Sequence, residues 1–121
     1  IWIGTRVAEK DNADENKRAG NGGLNKFDGD KFIQFPEIDG LSESDVYAIF
    51  KDISNDLWIS STSHGVYKFA NNEFVNYEVP ASTVCFLKDK QGTIWLGCAG
   101  GLYKIGADGK AINVTTKGPW E

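Results

Sequence analysis

Apolar and polar residues alternate in short runs along the chain, with the period of two that is typical of β-strands. A group of the form apolar-Trp-apolar-small occurs three times, as Ile1-Trp2-Ile3-Gly4, Leu57-Trp58-Ile59-Ser60 and Ile94-Trp95-Leu96-Gly97. Each group is followed by a glycine and a further alternating run, at 23–27, 65–69 and 101–105. No stretch has the 3.6-residue period of a helix, so the pattern predicts repeated strands.

The repeating unit contains four short strands, which we call a to d. Strand a precedes the tryptophan group (46–52 and 83–89), strand b contains it, and strands c and d follow. The turns carry Asp-Gly or Asn-Asn, which tolerate the positive φ of tight hairpins. Leu57 and Ile94, at equivalent positions, are 37 residues apart. A tandem four-stranded unit of this length predicts an all-β fold, a β-propeller fragment of about three antiparallel blades and eleven strands.

The predicted blades cover 1–39, 40–79 and 80–117, and the first blade lacks strand a. A propeller needs at least four blades to close. We therefore expect Ile1 to Thr5 to pair on its open side with chain outside this sequence, either the remaining blades of a longer protein or a second copy of the chain.

The motifs resemble one known repeat. All three copies are similar to the two-component regulator propeller repeat. The similarity lies in Asp52 and Asn55 before Leu57-Trp58-Ile59 with the glycine-led strand at 65–69, in residues 2–5 with 22–29 of the first copy, and in 95–97 with 100–102 of the third. The resemblance implies a membrane-anchored sensor whose propeller lies in the periplasm or outside the cell, with a kinase or regulator domain across the membrane.

The composition argues against two kinds of partner, nucleic acid and the membrane. The 121 residues carry a net charge of −4 without a basic cluster, so nucleic acid is not an expected partner. No run of 18 apolar residues occurs, so no direct membrane contact is expected.

The two cysteines, Cys85 and Cys98, fall on adjacent predicted strands. We expect them to be free, buried neighbours, with Cys85 opposite residue 97 or 98.

Two loop insertions predict where a ligand binds. Trp2 to Leu24 spans 22 residues, against 8 for Trp58 to Val66, and the connection from strand d to strand a is also longer in the first repeat. Both loops emerge at the same end of a blade, and loops on a rigid scaffold often carry binding residues. The candidate ligand-binding residues at this end are Arg6, Glu9, Lys10, Ser44, Asp45, Ser63 and His64. The expected ligand is an unidentified small molecule, with a saccharide as the first candidate; the alternative is a solvated loop that binds nothing.

Residues that recur in every repeat are expected to hold the fold. These are Trp2, Trp58 and Trp95, with Asp52 and Asp89, which should accept hydrogen bonds from turn amides. Asp11, Asn12, Asp14 and Asn16 could offer oxygen ligands to calcium, but their loop lacks the glycine and distal glutamate of an EF-hand. We predict no metal or other cofactor.

Three functions remain open from the sequence. No catalytic motif is present, and no partner for His64 can be named, so we expect binding and not catalysis. The first hypothesis is an extracytoplasmic ligand-sensing module of a two-component receptor. The second is a protein-interaction or dimerisation scaffold, and the third is part of a lyase-type propeller enzyme.

Overall fold

The three-dimensional structure is a computed structural model that describes residues 1–6, 13–17, 23–35, 46–61 and 65–118. Apart from one 3₁₀ turn, Glu15–Lys17, the regular structure of these residues is entirely β. The eleven strands are β1 (Trp2–Thr5), β2 (Gly23–Phe27), β3 (Phe32–Gln34), β4 (Val46–Lys51), β5 (Leu57–Ser61), β6 (Gly65–Ala70), β7 (Glu73–Tyr77), β8 (Thr83–Lys88), β9 (Ile94–Cys98), β10 (Gly101–Ile105) and β11 (Ala111–Thr115). The all-β prediction and the expected number of strands are confirmed.

The strands form three antiparallel sheets in chain order. Sheet 1 contains β1, β2 and β3; sheet 2 contains β4 to β7; sheet 3 contains β8 to β11. In every sheet each strand pairs with the next one along the chain, so each sheet is a simple meander. The three sheets do not close into a ring within the part of the chain that the structure describes.

Strand β5 shows why the sheets pack face to face. Successive side chains of a strand point to opposite faces, so Leu57 and Ile59 lie on one face and Trp58 lies on the other. All three are buried. Leu57 and Ile59 join a cluster with Leu24 of sheet 1, whereas Trp58 joins a cluster with Ile94 and Leu96 of sheet 3. Sheet 2 is therefore covered on both faces.

Each cluster is completed by aromatic rings. Between sheets 1 and 2, Trp2 lies 5.1 Å from Phe35 and 5.6 Å from Phe69, measured between ring centroids. Between sheets 2 and 3, Phe50 stacks on Phe86 with centroids 6.4 Å apart. All three contacts fall in the range in which aromatic pairs add to the stabilisation from area burial alone.

Strand β1 is an edge strand of sheet 1. Trp2 is half-buried against sheet 2, and Ile1 is exposed. The expectation that further chain pairs with this edge stays a prediction.

The cysteine prediction is correct in pairing and wrong in burial. Both thiols are free, and Cys85 lies opposite Gly97 in the β8–β9 ladder. Cys85 is exposed, however, and Cys98 is only half-buried. The reason is that Cys85 shares the face of sheet 3 that points away from sheet 2, and no described residue of another sheet covers that face.

Gly65 opens β6 with a φ of +79°, a conformation that side chains with a Cβ rarely adopt. A Cβ atom added there would lie 2.5 Å from the carbonyl oxygen of Tyr77 and 2.9 Å from the amide nitrogen of Val79. Gly92 has a similar φ of +86° but has nothing within 4 Å of an added Cβ. The two positions therefore separate backbone strain from steric overlap.

Replacing Ile59 tests the packing of sheet 2. Ile59→Ala is expected to lower the free energy of unfolding by about 2–5 kcal/mol, because it leaves a cavity at a fully buried position. Ile53, 99% exposed in the β4–β5 turn, is the matched control, and Ile53→Ala should change it by less than about 0.5 kcal/mol. Urea unfolding of both variants measures the difference; equal losses would contradict the assignment of the core.

Substitution of the two glycines tests the close approach at Gly65. Gly92→Ala should cost about 1–2 kcal/mol from the left-handed conformation alone. Gly65→Ala should cost clearly more, because strand β7 must also move away from the new methyl group. Thermal unfolding measures both, and a Gly65→Ala variant as stable as Gly92→Ala would show that the overlap is relieved without cost.

Candidate functional site

The turn between β4 and β5 is organised by one carboxylate. Asp52 follows β4 directly and is buried. One of its oxygens accepts hydrogen bonds from the backbone amides of Ser54 at 2.9 Å and Asp56 at 3.0 Å, which are the turn bonds expected from the sequence. The Asp52 side chain thus stabilises the conformation of the turn through hydrogen bonds to its backbone amides.

The second oxygen of Asp52 joins two sheets. It accepts a hydrogen bond from the indole Nε1 of Trp58 at 3.2 Å and one from the ammonium Nζ of Lys88, in sheet 3, at 2.9 Å. The Lys88 contact is an ion pair in which the carboxylate is buried and the lysine is mostly covered. A single side chain therefore connects the turn, the core tryptophan and the next sheet.

Asp89 repeats this arrangement in sheet 3. Its carboxylate accepts hydrogen bonds from the amides of Gln91 at 3.0 Å and Thr93 at 2.9 Å, and from Nε1 of Trp95 at 2.8 Å. The recurrence supports the interpretation of these aspartates and tryptophans as residues that hold the fold.

The surroundings of the two aspartates favour their charged forms. Burial raises the pKa of Asp52, but the bonds from Lys88, Trp58 and the turn amides outweigh it, so the pKa lies below its ordinary value. The pKa of Asp89 is also lowered, first by the Trp95 indole and then by the amide of Thr93.

A lysine lies over the indole ring of each repeated tryptophan. The Nζ atoms of Lys26, Lys68 and Lys104 lie 5.4, 5.5 and 5.7 Å from the ring centroids of Trp2, Trp58 and Trp95. These distances are those of cation–π contacts.

A cavity of about 300 Å³ lies between sheets 2 and 3 at the end where the β4–β5 turn lies. Lys68 and Lys88 line it, together with the turns of sheet 3 around Gly92 and Gly106. Lys68 is paired with Asp56 at 3.2 Å and Lys88 is paired with Asp52, so the lining charges are largely balanced. The sequence did not indicate this cavity, because it arises where two repeats meet and not within one.

Arg6 lies at the opposite end of the sheets, where the longer loops leave. Its guanidinium carbon is 4.6 Å from the ring centroid of Tyr47, near the start of β4. The structure therefore brings together the bases of the two inserted loops, at 6 and at 46–47. The other candidate residues, Glu9, Lys10, Ser44, Asp45, Ser63 and His64, lie outside the described residues.

Tyr47 was not among the residues predicted from the sequence. Its counterpart in sheet 3 is Val84, so an aromatic ring stands where the other copy of this strand has a small aliphatic side chain. This difference between the two strands is the signal by which the sequence could have pointed to it.

The comparisons with known proteins leave the family open: no model of a known protein family matches the chain, and no curated protein matches it significantly. Among the described residues, no three acidic, histidine or cysteine side chains are grouped so that they could hold a metal ion. No helix in the described part of the chain is long and apolar enough to cross a membrane.

The lowered pKa values predict how stability depends on pH. Because the pKa of Asp52 is lower in the folded chain than in the unfolded chain, its contribution is present above about pH 4, the pKa of an unfolded aspartate, and is lost as pH falls further. Asp52→Asn should cost roughly 1–3 kcal/mol at neutral pH and should make the loss of stability in acid less steep.

Melting temperatures between neutral pH and pH 3 measure this effect. Asp30→Asn, in an exposed turn of sheet 1, is the control for replacing an aspartate outside the buried network. An Asp52→Asn variant with the same acid dependence as the original chain would contradict the prediction.

Proposed function

We propose that this chain is part of a β-propeller that serves as the ligand-sensing module of a two-component receptor in the periplasm or outside the cell. The support is the stacking of four-stranded meanders in chain order, each with the same aspartate–tryptophan turn. The sequence motifs that resemble the two-component regulator propeller repeat supply the rest of the proposal. In this function the module binds a ligand and catalyses no reaction.

The observation that carries the ligand-binding proposal is the contact between Arg6 and Tyr47. Both side chains are exposed at the end of the sheets where the extended loops leave. An aromatic ring offers an apolar face, and a guanidinium offers several hydrogen-bond donors in a plane, so together they suit a saccharide ring that carries hydroxyl or carboxylate groups. The proposed ligand is a saccharide, and a carboxylate on it would be held by Arg6.

A protein-interaction scaffold is the second candidate. It is favoured by large apolar side chains on the outer faces of sheets 1 and 3, among them Phe32 and Leu87, which are both mostly exposed. The lyase-type enzyme has no comparable support among the described residues.

Ligand binding is tested by the thermal stability of the chain against a panel of neutral and uronic-acid-containing oligosaccharides. A true ligand at 100 times its Kd should add about 2.7 kcal/mol to stability. Arg6→Ala and Tyr47→Ala should each weaken binding at least about tenfold, which corresponds to roughly 1.4 kcal/mol. Calorimetric titration gives the affinities.

The matched control is Lys104→Ala, which removes a similar contact between a cation and an aromatic ring in sheet 3, far from the loop end. It should melt lower but bind as the original chain does. The proposal fails if no saccharide stabilises the chain or if both loop-end variants bind normally. Recovery of a shortened or unsaturated saccharide after incubation would favour the enzyme hypothesis instead.

A further inference from the structure

The interface between sheets 1 and 2 is filled by aromatic rings beside its tryptophan. Phe69 of sheet 2 lies opposite Phe74 in the β6–β7 ladder and stacks on it, with ring centroids 4.4 Å apart. Phe69 also meets Trp2 of sheet 1, at 5.6 Å between centroids. Both phenylalanines pack against the buried cluster between these two sheets.

Sheet 3 has smaller side chains at the same two positions. The equivalents of Phe69 and Phe74 are Ile105 and Ala111, which lie opposite each other in the β10–β11 ladder. Ile105 packs against the cluster that contains Trp58, and both residues line the cavity of about 300 Å³ between sheets 2 and 3. The cavity therefore lies where sheet 3 departs from the aromatic pattern of sheet 2.

The lining of this cavity combines apolar surface with two ammonium groups. Trp58, Ile94 and Ile105 supply the apolar surface, whereas Lys68 projects from sheet 2 and Lys88 from sheet 3. The volume is at the lower end of the range of about 300–1,000 Å³ that is found for ligand sites. A small molecule with an apolar body and hydrogen-bond acceptors matches this lining.

The two ammonium groups have donors to spare for a ligand. Each ammonium carries three N–H donors and no acceptor. Among the described residues, Lys68 contacts one acceptor, the carboxylate of Asp56 at 3.2 Å. Lys88 donates to the carboxylate of Asp52 at 2.9 Å and to the hydroxyl of Ser54 at 3.4 Å. Two donors of Lys68 and one of Lys88 thus remain.

Both lysines are also held in place and partly shielded from water. Their side chains are 29% exposed in Lys68 and 20% exposed in Lys88. The Nζ atom of Lys68 lies 5.5 Å from the ring centroid of Trp58, and that of Lys88 is fixed by the buried Asp52. A ligand that meets donors already in position loses less free energy to ordering them. Hydrogen bonds from charged donors are also stronger than neutral ones.

We propose that the cavity between sheets 2 and 3 binds a small carboxylic acid with an apolar body, in its ionised form. The carboxylate accepts hydrogen bonds from Lys68, which has more spare donors, and Lys88 adds a further donor. The apolar body packs beside Trp58 and Ile105, in the place that aromatic rings fill at the other interface. This site lies at the opposite end of the sheets from Arg6, so failure of saccharide binding would leave the proposal untouched.

The test is calorimetric titration of the chain with hexanoate and with benzoate at constant ionic strength. At least one of the acids should bind. Its uncharged amide, hexanamide or benzamide, should bind at least about tenfold more weakly, and so should inorganic phosphate, which has charge but no apolar body. The proposal is overturned if neither acid binds, or if the amide or phosphate binds as tightly as the acid.

Variants of the chain test the location of the site. Lys68→Gln should weaken binding of the acid at least about tenfold. Lys104→Gln is the matched control, because Lys104 lies over Trp95 in the same way but does not line the cavity, and it should bind as the original chain does. Equal affinities of Lys68→Gln and Lys104→Gln would overturn the proposal.

A double variant tests whether the ligand occupies the space left by the missing rings. Ile105→Phe with Ala111→Phe transfers the aromatic pair of sheet 2 to sheet 3 and should abolish binding. Thermal unfolding checks that this variant folds; if it does not, the comparison of Lys68→Gln with Lys104→Gln decides the location. A folded double variant that binds the acid with unchanged affinity would contradict the proposed site.

Discussion

Every sheet in this chain is apolar on both faces, and this constraint governs the rest of the structure. A strand such as β5, with Leu57 and Ile59 on one side and Trp58 on the other, cannot bury its side chains against a single neighbour. Sheet 2 meets the requirement because it lies between two others. Sheets 1 and 3 are each covered on one face only. Large apolar residues such as Phe32 and Leu87 therefore stay exposed on their outer faces.

The hydrogen-bond network around Asp52 is compatible with this apolar packing. Asp52 is buried at the edge of an apolar interface, where an unpaired carboxylate would be costly. Its two oxygens are fully occupied by turn amides, an indole and the ammonium of Lys88. No buried polar side-chain atom in the described residues lacks a hydrogen-bond partner. The network therefore positions the tryptophan without leaving a desolvated group unpaired.

Much of the fold could be predicted because it repeats. The tryptophan groups, the turns and the phase of the strands are local patterns, and three copies identify them clearly. The exposure of Cys85 could not be predicted, since it depends on what covers the outer face of sheet 3. The contact of Arg6 with Tyr47 was also missed, because the two residues are 41 positions apart in sequence and their meeting depends on how sheets 1 and 2 pack. The cavity between sheets 2 and 3 could not be predicted for the same reason, because it forms where two sheets pack together.

The ion pair between Asp52 and Lys88 has a direction. Lys88 immediately precedes Asp89, so one dipeptide reaches back to the preceding sheet with its lysine and shapes its own turn with its aspartate. Lys51 and Asp52 have the same order, and Lys51 lies on the face of sheet 2 that points to sheet 1. Sheet 2 thus has the aspartate at its border with sheet 3 and a lysine in the equivalent place at its border with sheet 1. A gene that gained or lost a whole unit of this kind by recombination would keep a lysine opposite an aspartate at each new border between such units.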